Sequence, residues 1–176
     1  MNTNLKRLTI SAMMLALALL LPFVTGQIPS IGKMLLPMHV PVLLCGFICG
    51  AKWGFSVGLI SPLLRSLIVG APSIYPTAAA MAFELAVYGL AVGLLYKRLP
   101  KNIPNIYLSL TGAMIFGRVT WGIATFVFSM INDTAFPFSA FLLGAFTQAA
   151  PGILLQLIFI PILIVACKKA NLIYNE

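Results

Sequence analysis

Acidic side chains are almost missing from this sequence: Glu84, Asp133 and Glu176 are the only three in 176 residues. Histidine occurs once, at His39. So few proton-handling groups leave general acid–base catalysis poorly equipped, and no Ser-His-Asp or His-Glu-x-x-His arrangement is present. Walker A is missing too, so the chain does not bind and hydrolyse ATP by that route. No inverted repeat of the kind many secondary transporters carry can be seen. The three cysteines, Cys45, Cys49 and Cys167, lie in apolar runs. Cys45 and Cys49 are spaced to share a helical face, but a metal there would want further Cys or His ligands beside them. They read as small core residues, and neither a metal nor a cofactor is expected.

Charge of either sign is scarce. Only 8% of residues are charged against 61% hydrophobic, with a mean hydropathy of +1.05. A soluble domain carries roughly 25% charged residues, and no soluble fold of this length has the interior to hide so much apolar surface. The solvent is therefore lipid. The net charge of +8 comes from basic residues in short clusters between apolar runs. That is the membrane pattern rather than a nucleic-acid-binding face.

What is present is a series of apolar runs. A helix crossing a hydrocarbon core of about 30 Å needs about 20 of them in succession. The runs predict an all-α integral membrane protein of one domain with six transmembrane helices, at about 8–25, 37–50, 53–69, 77–96, 106–130 and 138–167. Lys6 and Arg7 lead the first run as in a signal peptide, but no A-x-A cleavage site follows, so it reads as a retained span. The second is short. The sixth is expected to kink at Pro151 and Pro161. Six spans put both termini on one side, together with Lys6, Arg7, Lys52, Lys97, Arg98, Lys101, Lys168 and Lys169; Lys33 alone falls on the other. By the positive-inside rule both termini are cytoplasmic.

The remaining polar groups lie within the spans. Ionisable side chains there cost about 2.5–3.5 kcal/mol on insertion scales and so face a partner or a cavity. Counting along the helices at about 1.5 Å per residue, Arg65, Glu84, Arg118 and Gln148 fall in the outer half or near the midplane. His39 begins span 2 at its outer end. None of the five is deep on the cytoplasmic side, which describes a pocket opening outward. Glu84 could tie to Arg65 or to Arg118 as a purely structural pair, and two arginines against one acid would still leave a cation over. That surplus fits an anionic or strongly accepting ligand, held bidentately. Trp121 follows Arg118 by three residues and Tyr88 follows Glu84 by four, positions on the same faces. As aromatics they suit a flat ring ligand or simple packing alike. Asn132 and Asp133 mark a turn. Ala12 and Ala16 make a small-xxx-small face on span 1, and Gly46, Gly50, Gly54 and Gly58 form a second stripe suited to internal packing.

The phrase Pro-Met-His-Val-Pro-Val-Leu-Leu-Cys-Gly-Phe-Ile-Cys-Gly from Pro37, the later Gly117-Arg118-x-x-Trp121-Gly122 and the Ala12-x-x-x-Ala16 motif carry a resemblance over the whole chain. The sequence resembles the substrate-binding S component of an energy-coupling factor (ECF) transporter, of the riboflavin/pantothenate-type branch. The resemblance implies a vitamin or related micronutrient held tightly beneath the outer loops. It implies a transmembrane scaffold subunit docking on Ala12 and Ala16, two cytoplasmic ATPase subunits, and toppling of the S component to release its cargo inside. Carried onto this chain, it places Glu84, Arg118, Trp121 and Gln148 in the substrate site; Arg65 and His39 join them from depth alone. Two buried arginines put pantothenate first as substrate, with riboflavin, pyridoxine, a cobalamin or a deazaguanine as the others. The competing expectation is a solitary ATP-independent transporter or channel. An intramembrane enzyme is the third, disfavoured by the missing catalytic groups.

Overall fold

The computed structural model describes residues 3–24, 34–134 and 137–175. All regular structure among them is helical: α1 (Thr3–Val24), α2 (His39–Cys49), α3 (Ala51–Val69), α4 (Ala79–Arg98), α5 (Ile103–Ile131), α6 (Phe138–Leu142) and α7 (Ala150–Lys169). Large side chains such as Leu20, Phe116, Ile123, Ile158 and Ile162 point outward. A helix surface this apolar on its exposed side is built for lipid.

Four helical segments are long and apolar enough to cross a membrane: Thr3–Val24, Ile74–Arg98, Ile103–Ile131 and Phe138–Lys169. The other two expected spans are less regular. α2 has 11 residues, about 16 Å at the helical rise, and cannot cross the hydrocarbon core alone. α3 has 19 residues but carries Lys52 near one end and Arg65 near the other. Gly50, at φ +99, makes the sharp turn between them. A side chain is strained at that φ, and a Cβ would also meet the Asn175 amide oxygen at 3.0 Å. The end of span 1 at Thr25, the loop that follows and Lys33 lie outside the described residues.

Two departures from regular helix have proline causes. Before α4, a wide π turn covers Ile74–Ala78, with Tyr75 extended at φ −123, ψ 136, as a residue preceding Pro76 prefers. The sixth segment breaks upstream of Pro151: α6 passes into a π turn at Leu143–Thr147 before α7 begins. Pro151 has no N–H to give back to the preceding turn and its ring crowds that turn's carbonyl, so the backbone widens there. Pro161 lies inside α7 without ending it, so of the two kinks expected only the first interrupts the helix.

α4 is the centre of the bundle and packs on α2, α3 and α5. The approach is made by glycine. A Cβ on Gly58 would fall 2.2 Å from Leu85 O, one on Gly93 would fall 2.4 Å from Ala51 N, and one on Gly46 would fall 2.4 Å from Val92 Cγ1. The glycine stripe is thus internal packing: backbones touch, and dispersion contact replaces the hydrophobic drive that lipid cannot supply.

The other end of the bundle is tied by the C-terminal tail. Asn175 is buried, and its amide donates to Gly93 O at 2.9 Å and Gly46 O at 3.3 Å. Tyr174 N donates to Ile48 O at 2.8 Å, and Arg7 donates to Tyr174 O. Lys6 stands 5.7 Å over the Tyr174 ring, Lys101 donates to Asn175 O at 3.4 Å, and Lys168 donates to Lys101 O at 2.6 Å. The tail therefore gathers the first helix, the α2–α3 turn, α4 and α7 at their basic ends. Asn175→Ala removes both amide bonds, and the expected result is a loss of about 1–3 kcal/mol of stability. Thermal denaturation in mild detergent measures it; an unchanged midpoint would show that the tail contributes nothing.

Candidate functional site

The α2–α4–α5 packing brings together three of the residues singled out in the sequence. Arg118 Nη1 lies 2.9 Å from Glu84 Oε1, and His39 Nε2 lies 3.5 Å from the same oxygen. All three are buried, with relative exposures of 1% for His39, 2% for Glu84 and 5% for Arg118. The Tyr88 ring meets the His39 ring edge-on, centroids 5.2 Å apart. Tyr88 can sit there because position 117 has no side chain: a Cβ on Gly117 would be 2.7 Å from the Tyr88 ring. Gly117 and Arg118 are thus read together, one admitting the tyrosine and the other reaching the acid one turn before it.

Buried polar atoms ordinarily find partners. Among the described residues His39 Nδ1 and Arg118 Nε and Nη2 have no hydrogen-bond partner, while Glu84 Oε1 faces Arg118 Nη1 and His39 Nε2 in the ion pair. The ion pair satisfies the charges while leaving much of the hydrogen-bonding capacity unused. A guanidinium with two free N–H groups, a carboxylate with acceptor capacity to spare and an imidazole offering a donor or acceptor at each nitrogen form a ready set of contacts for a polar group placed among them.

Arg65 does not join this set. Its Nη1 donates to Leu19 O at 3.0 Å and its guanidinium lies 5.2 Å from the Phe23 ring centroid. Pro22 sits inside α1 and loosens the carbonyls of the turn before it; Leu19 O is one of them. Arg65 thus fastens α3 to the C-terminal end of α1. Arg65, expected in the substrate site from depth alone, is not brought to Glu84: its guanidinium is committed to Leu19 O and Phe23 on α1.

Trp121 lies about one turn beyond Arg118 along α5 and stacks on Phe141, centroids 6.3 Å apart at 26°. Phe138 and Phe146 extend the group around Phe141. Gly122 and Gly144 make room for it, since a Cβ on the first would meet the Phe141 ring at 2.5 Å and one on the second Trp121 at 2.9 Å. Gln148 is exposed and is not buried with Glu84. The wide turn sets the inward face of the last helix as Ala145, Ala149, Gly152, Gln156 and Ile160, all buried, and Gln148 falls one residue off it. Gln156, whose Nε2 is also without a partner, is the polar residue that sequence reasoning missed. Its signal was the four-residue spacing from Gly152, which packs against the Met34 and Leu35 backbone leading into His39. Asn132 Nδ2 donates to Tyr75 OH at 3.2 Å, and Phe128 meets the Tyr75 ring edge-on, so the turn before α4 and the end of α5 are joined.

The cysteines play no part in this cluster: Cys45 Sγ donates to Ser11 Oγ at 3.4 Å between α1 and α2. Ala12 and Ala16 are exposed on α1, whereas Ser11, Met14 and Ala18 turn inward.

The fold is a helical bundle with an apolar outer surface, four segments long enough to cross a membrane and a buried polar cluster drawn from three helices. Comparison with known families makes the assignment narrower. The family of ECF transporter substrate-specific components matches over residues 6–164, and the chain belongs to it. It is a substrate-binding membrane subunit of a vitamin or micronutrient transporter. No curated protein and no solved structure gives a match.

Proposed function

We propose that this chain captures one vitamin-sized molecule at high affinity from outside a bacterial plasma membrane. Separate ATPase subunits, acting through a transmembrane scaffold, then drive its delivery to the cytoplasm. The observation that carries this reading is the His39–Glu84–Arg118 cluster. It is buried, drawn from three helices, and left with His39 Nδ1 and Arg118 Nε and Nη2 without a hydrogen-bond partner among the described residues. A structural tie alone would be expected to use them.

The cluster lies toward one end of the bundle. Glu84 is in the second turn of α4, His39 opens α2, and the far end is closed by the tail and its lysines and arginines. Arg7 and Lys6 meeting Tyr174 support both termini on one side, and the basic residues gathered there support a cytoplasmic placement. In this reading the chain crosses six times, with α2 and α3 acting as a bent, buried pair. Trp121 flanks the site. Arg65 and Gln148 serve its surroundings, not the ligand directly.

Pantothenate, riboflavin, pyridoxine, a cobalamin and a deazaguanine are the candidate cargoes. Purifying the protein in mild detergent, denaturing it and identifying released small molecules by mass spectrometry tests the reading. One compound at near-equimolar amount supports it. An empty protein that also shows no thermal shift with those compounds would return weight to a solitary, weak-binding transporter.

Ala12 and Ala16, exposed and small, form the face on which we place the scaffold subunit, where helix backbones can approach closely. Ala12→Leu is expected to leave ligand binding intact and to abolish ATP-driven uptake in proteoliposomes holding the whole complex. Normal uptake by the variant would place the docking face elsewhere.

A further inference from the structure

We infer that the ligand presents an uncharged edge to the cluster, one carrying hydrogen-bond acceptors such as a lactam carbonyl or a ring nitrogen, and not a carboxylate or phosphate. This rests on the reading of the cluster as the substrate site. The charges are the first ground. Glu84 already holds the Arg118 guanidinium at 2.9 Å, and the second buried arginine is committed to Leu19 O and Phe23. The formal charges of Glu84 and Arg118 cancel within the pair. An anion entering here would have to compete with Glu84 for the same guanidinium and would bring two acids together in a low-dielectric interior.

The second ground is the kind of atom left over. Arg118 Nε and Nη2 are adjacent N–H donors, a fork that two neighbouring acceptors on a flat molecule can fill. The lone pair of Glu84 Oε1 not turned to Arg118, and His39 Nδ1 in the tautomer whose Nε2–H faces Glu84, offer acceptor positions for a ligand N–H or O–H. Donors and acceptors side by side match the mixed edge of an uncharged heterocycle, whereas a carboxylate would satisfy the donors and repel the acceptors. These atoms have no contact with solvent in this conformation, so binding includes a side-chain or loop rearrangement that opens the way to them.

Glu84→Gln separates the alternatives. A neutral edge depends on Glu84 to orient Arg118, to balance its charge and to accept a ligand proton. An anion would gain when Glu84 loses its charge. The variant and the parent are titrated in detergent with riboflavin, pyridoxine, a deazaguanine base and pantothenate. We expect at least about tenfold weaker binding by the variant of whichever compound the parent takes up. Unchanged affinity would make the pair a structural tie, tighter binding would make the ligand edge an anion, and either overturns the inference.

Should Glu84→Gln fail to fold, the parent protein answers by competition against its co-purified molecule, using nicotinamide against nicotinate and pantothenol against pantothenate. The uncharged member of each pair is expected to compete better, and preference for the acids overturns the inference. A parent protein that carries no molecule and binds none of the four compounds overturns the function reading itself, a result distinct from all of these.

Discussion

Arg118→Ala is expected to reduce ligand affinity by roughly 100-fold or more, since charged N–H donors each contribute about 1.5–3 kcal/mol and two of them stand free beside the ion pair. Stability should fall as well. Removing one partner of a buried pair strands the other, at a cost of about 3–5 kcal/mol, and Glu84, 2% exposed, keeps His39 as its remaining ion-pair partner among the described residues. The two effects separate in the double variant Glu84→Gln with Arg118→Met. It carries no stranded charge, so its thermal midpoint should recover toward the parent's while binding stays lost. Isothermal titration and thermal denaturation on the same detergent preparations read both. Parent-like affinity in a folded Arg118→Ala protein would remove Arg118 from the site.

Gly89→Val is expected to yield no folded protein. A Cβ there would lie 2.2 Å from Gly54 O and 2.3 Å from Gly54 C. Both are backbone atoms in a helix and cannot swing aside as a side chain can. α3 and α4 would have to part, and the contacts they share are the most extensive in the bundle. The site would go with them, because α4 carries Glu84 and Tyr88. Gly112→Ala is the matched control. Its Cβ would meet only the flexible Leu95 Cδ1 at 3.0 Å, and the protein should remain monodisperse. Size-exclusion profiles in detergent distinguish the outcomes; a monodisperse Gly89→Val protein that still binds ligand would show that the close crossing is dispensable.

The membrane class and the helical character of the spans were legible because they depend on local composition. Runs of about 20 apolar residues broken by Gly, Pro and basic clusters can satisfy their backbone in lipid only as helices. The glycine stripe at Gly46, Gly54 and Gly58 was legible for a similar reason: small residues at helical spacing announce close packing before the partner is known. The family also left its mark on short phrases, and the Gly117-Arg118-x-x-Trp121-Gly122 phrase resolves into packing needs, with Gly117 admitting Tyr88 and Gly122 admitting Phe141.

Depth along each helix was also legible, since it follows from counting residues at a fixed rise. His39, Glu84 and Arg118 were placed at compatible heights on that basis. Rotation about each helix axis was not. Arg65 and Arg118 were equal candidates for Glu84 by depth, and the pairing depends on how α3, α4 and α5 are turned against one another. Glycine contacts between backbones set that rotation, and no single segment encodes it. Gln148 and Gln156 show the same limit within one segment: the wide turn before Pro151 resets the inward face, so that the deeper glutamine is buried and the shallower one exposed.

Hydropathy and charge placement are properties of each segment alone, and they were enough to identify a bundle of membrane helices with a few polar groups among them. Only the tertiary structure decided that Glu84 neutralises Arg118, that Arg65 holds α1 instead, and that Asn175 returns to seal the basic end. Each of those depends on side chains from segments far apart in the chain, brought within hydrogen-bonding range by backbone contacts that form only when the helices pack.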